Sequence, residues 1–382
     1  SVGFGGVAEG LAKMAFGNRI GAEVEMDEAE LFGYAYGSIL VESAVELIHP
    51  AAGLLGMTAA EEALTVNGVK MPLDVLYKAN TEKFAAVYPD KGENHAGVMT
   101  SEPAPRTFAY RGEAVEHPLV YIPVFPGTNC EYDTARAFEK AGIAADILVL
   151  RNLSANDVAT SAAEFAQRAR EAQIIFIPGG FSGGDEPDGS GKFITAFFRN
   201  PRIRESVNEL LKQRDGLMCG VCNGFQALIK LGLIPYGEIR DADAQSPTLT
   251  YNVIGRHQSK IVRTRVCSNK SPWLMRTVPD EVYSVPVSHG EGRILCSDAQ
   301  LWALAENGQI ATQYVDLAGE PAMQVQFNPN GSVWAVEGLT SPDGRVFGKM
   351  GHSERIGTGL YQNVEGRYDM QIFASAADYF KI

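Results

Sequence analysis

Between Met218 and Leu231 an apolar run gives way to a helix-like stretch through Gly220-Val221-Cys222-Asn223-Gly224. Few folds accept such a sequence. A residue on a sharp strand-to-helix turn takes strained backbone angles, and small residues two places to either side keep it from clashing. The spacing therefore reads as an elbow that presents Cys222 at the end of a strand and the start of a helix. Unpaired N–H groups at a helix start favour a thiolate there. The same stretch carries a rival pattern, a C-x-x-C from Cys219 to Cys222.

The surrounding chain supplies the sheet that such an elbow needs. Apolar runs at 120–125, 145–150, 174–178 and 216–221 alternate with helical patterns at 133–140, 162–171, 193–198, 207–213 and 225–231. Strands that are apolar throughout and separated by helices predict an α/β fold, a mostly parallel sheet with helices on both faces. Ligands bind such sheets beyond the carboxyl ends of the strands, where Asn129, the loop Gly179 to Asp185 and Cys222 would gather. From Leu249 onward, strand-like runs with Pro-Asn-Gly and Pro-Asp-Gly turns predict hairpins beside that sheet.

The first 90 residues have a different texture. Val7, Leu11, Met14 and Ala15 fall at helical spacing after a Gly-rich start, predicting a helix that ends near Gly17-Asn18. Residues 38–42 read as a strand, and Glu61 to Leu64 and Pro72 to Lys78 as parts of helices. Gly3-x-Gly5-x-x-Ala8 matches a dinucleotide fingerprint in form, but only two residues precede it, too few for the strand that motif requires. Residues 91–117 break into Gly, Pro, Glu and Asn and read as a linker, leaving 118–382 as the second domain. The start at Ser1 without a methionine reads as a piece of something longer.

Composition narrows the function classes. A formal charge of −13 argues against a nucleic-acid surface. Five unevenly spaced cysteines make no disulfide framework and suit a reducing, cytoplasmic setting. No apolar run is long enough to span a membrane, and no signal-peptide pattern opens the chain.

A cysteine nucleophile needs a base, a group that orients the base, and donors for an oxyanion. His352 follows the apparent strand 345–348, and Glu354 two residues on can hold its tautomer. His289 has the same His-x-Glu spacing with Glu291 and competes for the role. In its glycine-rich surroundings it would line the pocket without serving as base. The strand Ile174 to Pro178 runs into Gly179-Gly180-Phe181-Ser182-Gly183-Gly184-Asp185, a loop whose N–H groups can point into a site. The N–H of Gly180 or Phe181, with that of Asn223, would form the oxyanion hole. No Gly-Lys-Ser/Thr follows, so phosphate binding there is disfavoured. Cys219 would lie inside a buried strand, and no second C-x-x-C offers a zinc partner, so no metal is expected. A C-x-x-C redox protein and a related cysteine hydrolase or peptidase remain the alternative classes.

These residues carry a resemblance. Gly220-Val221-Cys222-Asn223-Gly224-Phe225-Gln226, Pro178-Gly179-Gly180-Phe181-Ser182 and Gly351-His352-Ser353-Glu354-Arg355 resemble the triad-type (class I) glutamine amidotransferases, with their flavodoxin-like core. Phe125-Pro126-Gly127-Thr128-Asn129-Cys130 and Ser288-His289-Gly290-Glu291-Gly292-Arg293 narrow this to the phosphoribosylformylglycinamidine synthase (formylglycinamide ribonucleotide amidotransferase) family of purine biosynthesis. Residues 1–90 are similar to the end of the synthetase portion of its long single-chain form, a partial α+β lobe like that of aminoimidazole-ribonucleotide synthetase. The resemblance implies glutamine as substrate, a glutamyl thioester on Cys222, and Gln226 with Asn129 recognising the substrate's polar ends. It implies no cofactor in the glutaminase domain. ATP, magnesium and formylglycinamide ribonucleotide would bind through a synthetase portion mostly absent from this chain, which alone would be at most a slow glutaminase.

Overall fold

Asn67-Gly68 sits between two short β-prone runs, and both residues have positive φ, as a tight hairpin turn requires. That turn organises the beginning of the chain in the computed structural model, which describes residues 1–92, 97, 109–112, 115–182 and 191–381. The chain divides into two units, Ser1–Tyr88 and Pro89–Ile382. In the first, helix α1 (Gly6–Asn18) precedes β1 (Gly21–Val24), α2 (Glu28–Leu31), β2 (Gly56–Ala59), β3 (Ala63–Val66), β4 (Val69–Pro72) and α3 (Leu73–Glu82). The strands form one sheet in the order β2-β1-β3-β4. Val7 of α1 packs with Leu31 and Val66, and Ala15 with Leu64 and Leu73.

Two local expectations fail in this unit. Ala63 and Leu64 begin β3 rather than continuing a helix, because the Asn-Gly turn pairs their strand with β4. Residues 38–42 form no strand. A short β-prone run gains nothing from extension without a partner, and Ser38 bonds instead through its carbonyl to the Val2 N–H at 2.9 Å and through its N–H to the Ala35 carbonyl at 3.0 Å.

The second unit is built as the alternating pattern demands. Its elements are β5 (Leu119–Val124), α4 (Glu131–Lys140), β6 (Ala144–Val149), α5 (Ala155–Glu171), β7 (Ile174–Ile177), α6 (Lys192–Phe198), α7 (Pro201–Asn208), β8 (Leu217–Val221), α8 (Asn223–Leu231) and α9 (Leu233–Tyr236). There follow β9 (Thr248–Tyr251), β10 (Gln258–Val266), β11 (Val282–His289), β12 (Glu291–Leu295), α10 (Asp298–Glu306), β13 (Ile310–Val315), β14 (Val336–Thr340), β15 (Val346–Lys349) and α11 (Ile372–Tyr379). Nine strands make one sheet, β11-β10-β13-β14-β15-β8-β7-β5-β6. The five from β15 to β6 pair in parallel. Counted from β5, they follow the flavodoxin-like strand order.

Successive strand residues face opposite sides, so each apolar strand feeds two cores. Phe176 of β7 meets Phe138 of α4 at 5.4 Å between ring centroids, and Phe138 meets Phe373 of α11 at 4.9 Å. On the other face Tyr121 of β5 meets Phe165 of α5 at 5.0 Å. The strands expected beside the main sheet instead extend it: β14, β13, β10 and β11 continue antiparallel from β15. Only β9 and β12 form a separate pair. Lys91 and Gly92, at the start of the expected linker, are tied into this unit, since Lys91 bridges Gln324 and the Gly92 N–H donates to Met323 O at 3.0 Å. Residues 93–96, 98–108 and 113–114 of that segment lie outside the described residues. No described helix is long and apolar enough to cross a membrane.

Candidate active site

Cys222 sits between β8 and α8 with φ 51° and ψ −107°, angles that cost a non-glycine residue about 1–3 kcal/mol. Its two glycine neighbours make the turn possible. A Cβ on Gly224 would lie 2.0 Å from the Ile177 carbonyl oxygen, and one on Gly220 would lie 2.6 Å from the Gly224 backbone. The Cys222 N–H donates to Lys349 O at 2.9 Å, fastening the elbow to β15. The sulfur lies 3.7 Å from the Ser288 carbonyl oxygen. Cys219, by contrast, is fully buried within β8, and burial pushes its thiol well above the ordinary range. A sulfur so placed is a core residue.

Parallel pairing of Lys349 with Val221 brings the segment after β15 alongside the elbow. His352 Nδ1 lies 2.5 Å from Glu354 Oε1, and both side chains are buried. The His352 N–H donates to Pro286 O at 2.9 Å. Burial opposes a charged imidazole here. The Glu354 carboxylate outweighs it, helped by bonds to the Cys130 and Cys222 sulfurs, and His352 titrates well above the usual histidine range.

His289 is built differently. Its Nδ1 faces Asn252 Oδ1 at 3.2 Å, so an amide rather than a carboxylate orients the ring. Burial first, then the fields of His352 and His257, lower its pKa to about 3. Nε2 is buried and has no partner among the described residues. His289 is thus a neutral imidazole with one lone pair unspent.

The loop after β7 packs directly on this constellation. A Cβ on Gly179 would lie 2.6 Å from His352 Cε1. Gly180 has φ 150° and bridges Thr128, where a side chain would strike Gly127 O at 2.5 Å. The Phe181 N–H donates to Gly127 O at 2.8 Å, which removes it from the expected oxyanion donors. Among the described residues no hydrogen bond occupies the Gly180 N–H, and the Asn223 N–H opens α8, where helical partners are absent. Gly183 to Asp185 lie outside the described residues.

Gln226 corrects a second expectation. Its Oε1 accepts from Asn223 Nδ2 at 2.9 Å, and its Nε2 donates to Glu291 O at 2.5 Å. Helix α8 is buried on nearly every side, so a polar side chain there must be satisfied internally, and Gln226 becomes a strut. Asn129 is exposed at the rim, with its Oδ1 3.0 Å from Cys130 Sγ.

Cys130 was not singled out by the sequence reading, although its motif was. Its sulfur lies 3.8 Å from His352 Nδ1 and accepts from Arg355 Nη2 at 3.1 Å. Cys130, His352 and Glu354 together hold three atoms of metal-ligating type. The His352–Glu354 separation is that of a hydrogen bond, however, and the guanidinium on the sulfur repels a cation.

The family model of the CobB/CobQ-like glutamine amidotransferase domain matches residues 117–380. The phosphoribosylformylglycinamidine synthase subunit PurQ of Methanococcus maripaludis is 32% identical over 284 residues, covering 69% of this chain and 97% of its own. The same-named subunit of Aquifex aeolicus is 31% identical over 249 residues, covering 64% of this chain and 93% of its own. The solved structure of PurLQS from Thermotoga maritima is 25% identical with a TM-score of 0.49, covering 69% of this chain and 99% of that one.

Proposed function

The chain belongs to the CobB/CobQ-like glutamine amidotransferase family, and from that premise we propose that Cys222, His352 and Glu354 are its glutaminase triad. The observation that carries this reading is the buried 2.5 Å pair of His352 and Glu354, delivered by β15 to the elbow that holds Cys222. Cys222 sulfur attacks the side-chain carbonyl carbon of glutamine, and the carbonyl electrons move onto oxygen. The N–H groups of Gly180 and Asn223 stabilise that oxyanion. His352, basic enough to hold the thiol's proton, passes it to the departing nitrogen as the C–N bond breaks. Ammonia leaves, and a glutamyl thioester remains. His352 then takes a proton from water, the hydroxide adds to the thioester carbonyl, and the C–S bond breaks to release glutamate.

The relatives' names support a more specific setting. The ammonia would serve ATP-dependent conversion of formylglycinamide ribonucleotide to the amidine, in the cytoplasm, with residues 1–90 as the end of a synthetase-like lobe and 118–382 as the glutaminase. ATP and magnesium would be held by the synthetase portion, and no residue of this chain is assigned to them. His289 Nε2, a buried acceptor without a partner among the described residues, suits an N–H of bound glutamine, and Asn129 at the rim suits its α-amino-acid end. The test is labelling with a glutamine-mimicking diazo-ketone followed by peptide mapping. One adduct on Cys222, suppressed by excess glutamine, is expected; labelling that ignores glutamine, or falls on Cys130, overturns the reading.

A further inference from the structure

Glu337 of β14 and Lys349 of β15 are both wholly buried, with Nζ 3.3 Å from Oε1. The mechanism above uses neither. Most of their bonds converge on the segment that leads from β15 to His352. Glu337 Oε1 accepts the Gly351 N–H at 2.6 Å, and its Oε2 accepts the Thr312 hydroxyl at 2.5 Å. Lys349 Nζ donates to Gly351 O at 3.3 Å. Lys349's own carbonyl takes the Cys222 N–H, and the Glu337 carbonyl takes the Met350 N–H at 3.3 Å. Gly351 also lies hard against its neighbours: a Cβ there would fall 2.7 Å from Val285 and 3.0 Å from Glu337 Oε1.

The pair therefore grips both polar groups of Gly351, the residue immediately before His352, while its strand grips the nucleophile. Burying two charges is costly, and well-packed apolar residues of similar size hold a sheet at least as well. Packing alone does not call for these residues. We propose that Glu337 and Lys349 are positioning residues for glutamine hydrolysis, fixing Gly351 so that the His352 imidazole keeps its setting against Cys222. This rests on the triad reading. A displacement of about 1 Å in such a group can slow catalysis by about a hundredfold.

The full chain would be compared with Glu337→Gln/Lys349→Met, which removes both charges together, and with Thr312→Val and Lys349→Arg. Readouts are kcat and KM for glutamine, thermal unfolding, and the pH profile of Cys222 alkylation by iodoacetamide. The double variant should lower kcat about ten- to a hundredfold, leave KM within about threefold, and shift the alkylation profile. Thr312→Val should show the same shift to a smaller extent, and Lys349→Arg should stay within about fivefold of the parent in kcat. An unchanged kcat and alkylation profile in the double variant overturns the proposal, as does a loss that only tracks the unfolded fraction. If the double variant does not fold, Thr312→Val decides, and a native profile there overturns it. Failure of the triad reading would show separately, as diazo-ketone labelling of the parent chain that ignores glutamine or misses Cys222. The alkylation profile would still report the setting of His352 against Cys222.

Discussion

Two histidines in one site are pushed in opposite directions, and the signs have consequences for stability. His352 titrates well above the usual value, with the Glu354 carboxylate overcoming its burial. Between about pH 6.5 and that raised value the folded chain holds a proton that the unfolded chain has released. Its stabilisation is complete below about pH 6.5 and is lost as pH rises through the folded value. His289 does the reverse, because burial lowers it to about 3. Its contribution is complete above about pH 6.5 and is lost as pH falls toward 3. The two limbs should be separable by thermal unfolding across pH. His352→Gln should flatten the alkaline decline and His289→Asn the acid one, whatever each costs in absolute stability. Unchanged slopes would refute the assignment of those shifts. Activity divides the same pair differently. On the proposed triad, Glu354→Gln removes the carboxylate that orients and charges His352, and kcat should fall about 10³- to 10⁴-fold. Substitution of Asn252, which bonds the His289 ring and makes no bond to His352, should act mainly on KM.

At the scale of elements the elbow is the most demanding piece of the molecule. Gly224→Ala would force a methyl to 2.0 Å from the Ile177 carbonyl, which cannot move without breaking the β7–β8 pairing. Overpacking of this kind costs about 1–3 kcal/mol or more. Glutamine hydrolysis should be lost together with a fall in unfolding temperature, whereas Cys222→Ser should lose hydrolysis while keeping the fold. The elbow was legible in the sequence because its constraint is local, two glycines at fixed distances from one side chain. The strands β5, β7 and β8 were legible because burial on both faces leaves a continuous apolar run. The fate of Gln226 and Phe181 was not legible. Whether an amide or an N–H is spent internally depends on partners far along the chain, Glu291 for one and Gly127 for the other. The same holds for Lys349, a charge closing an apolar strand whose counter-charge sits on the neighbouring strand. Ala63-Leu64 misled because the residues from Glu61 to Leu64 are good helix formers, but propensity is a weak guide and the following turn pairs their strand with β4.

At the scale of the whole molecule the two units keep separate cores. The apolar clusters of the first draw on residues between Val2 and Leu76, and the largest of the second on residues between Tyr110 and Phe380. A unit of about 300 residues buries about three quarters of the surface its unfolded chain exposes, enough to fold without help. Every residue assigned to the triad and its oxyanion donors lies in that second unit. Residues 89–382 produced alone should therefore unfold cooperatively, and their Cys222 should react with the diazo-ketone within about threefold of the rate in the full chain. The first unit has a weaker prospect. Its sheet has β2 and β4 as edges, and it exposes Phe4, Tyr34, Ile39, Ile48 and Leu54, the last two almost completely. Unpaired edges beside exposed apolar side chains invite association. Residues 1–88 alone should scatter light at micromolar concentration and give no cooperative transition. Should they instead remain monomeric with a sharp unfolding transition, the first unit is self-sufficient and its exposed residues are an ordinary surface.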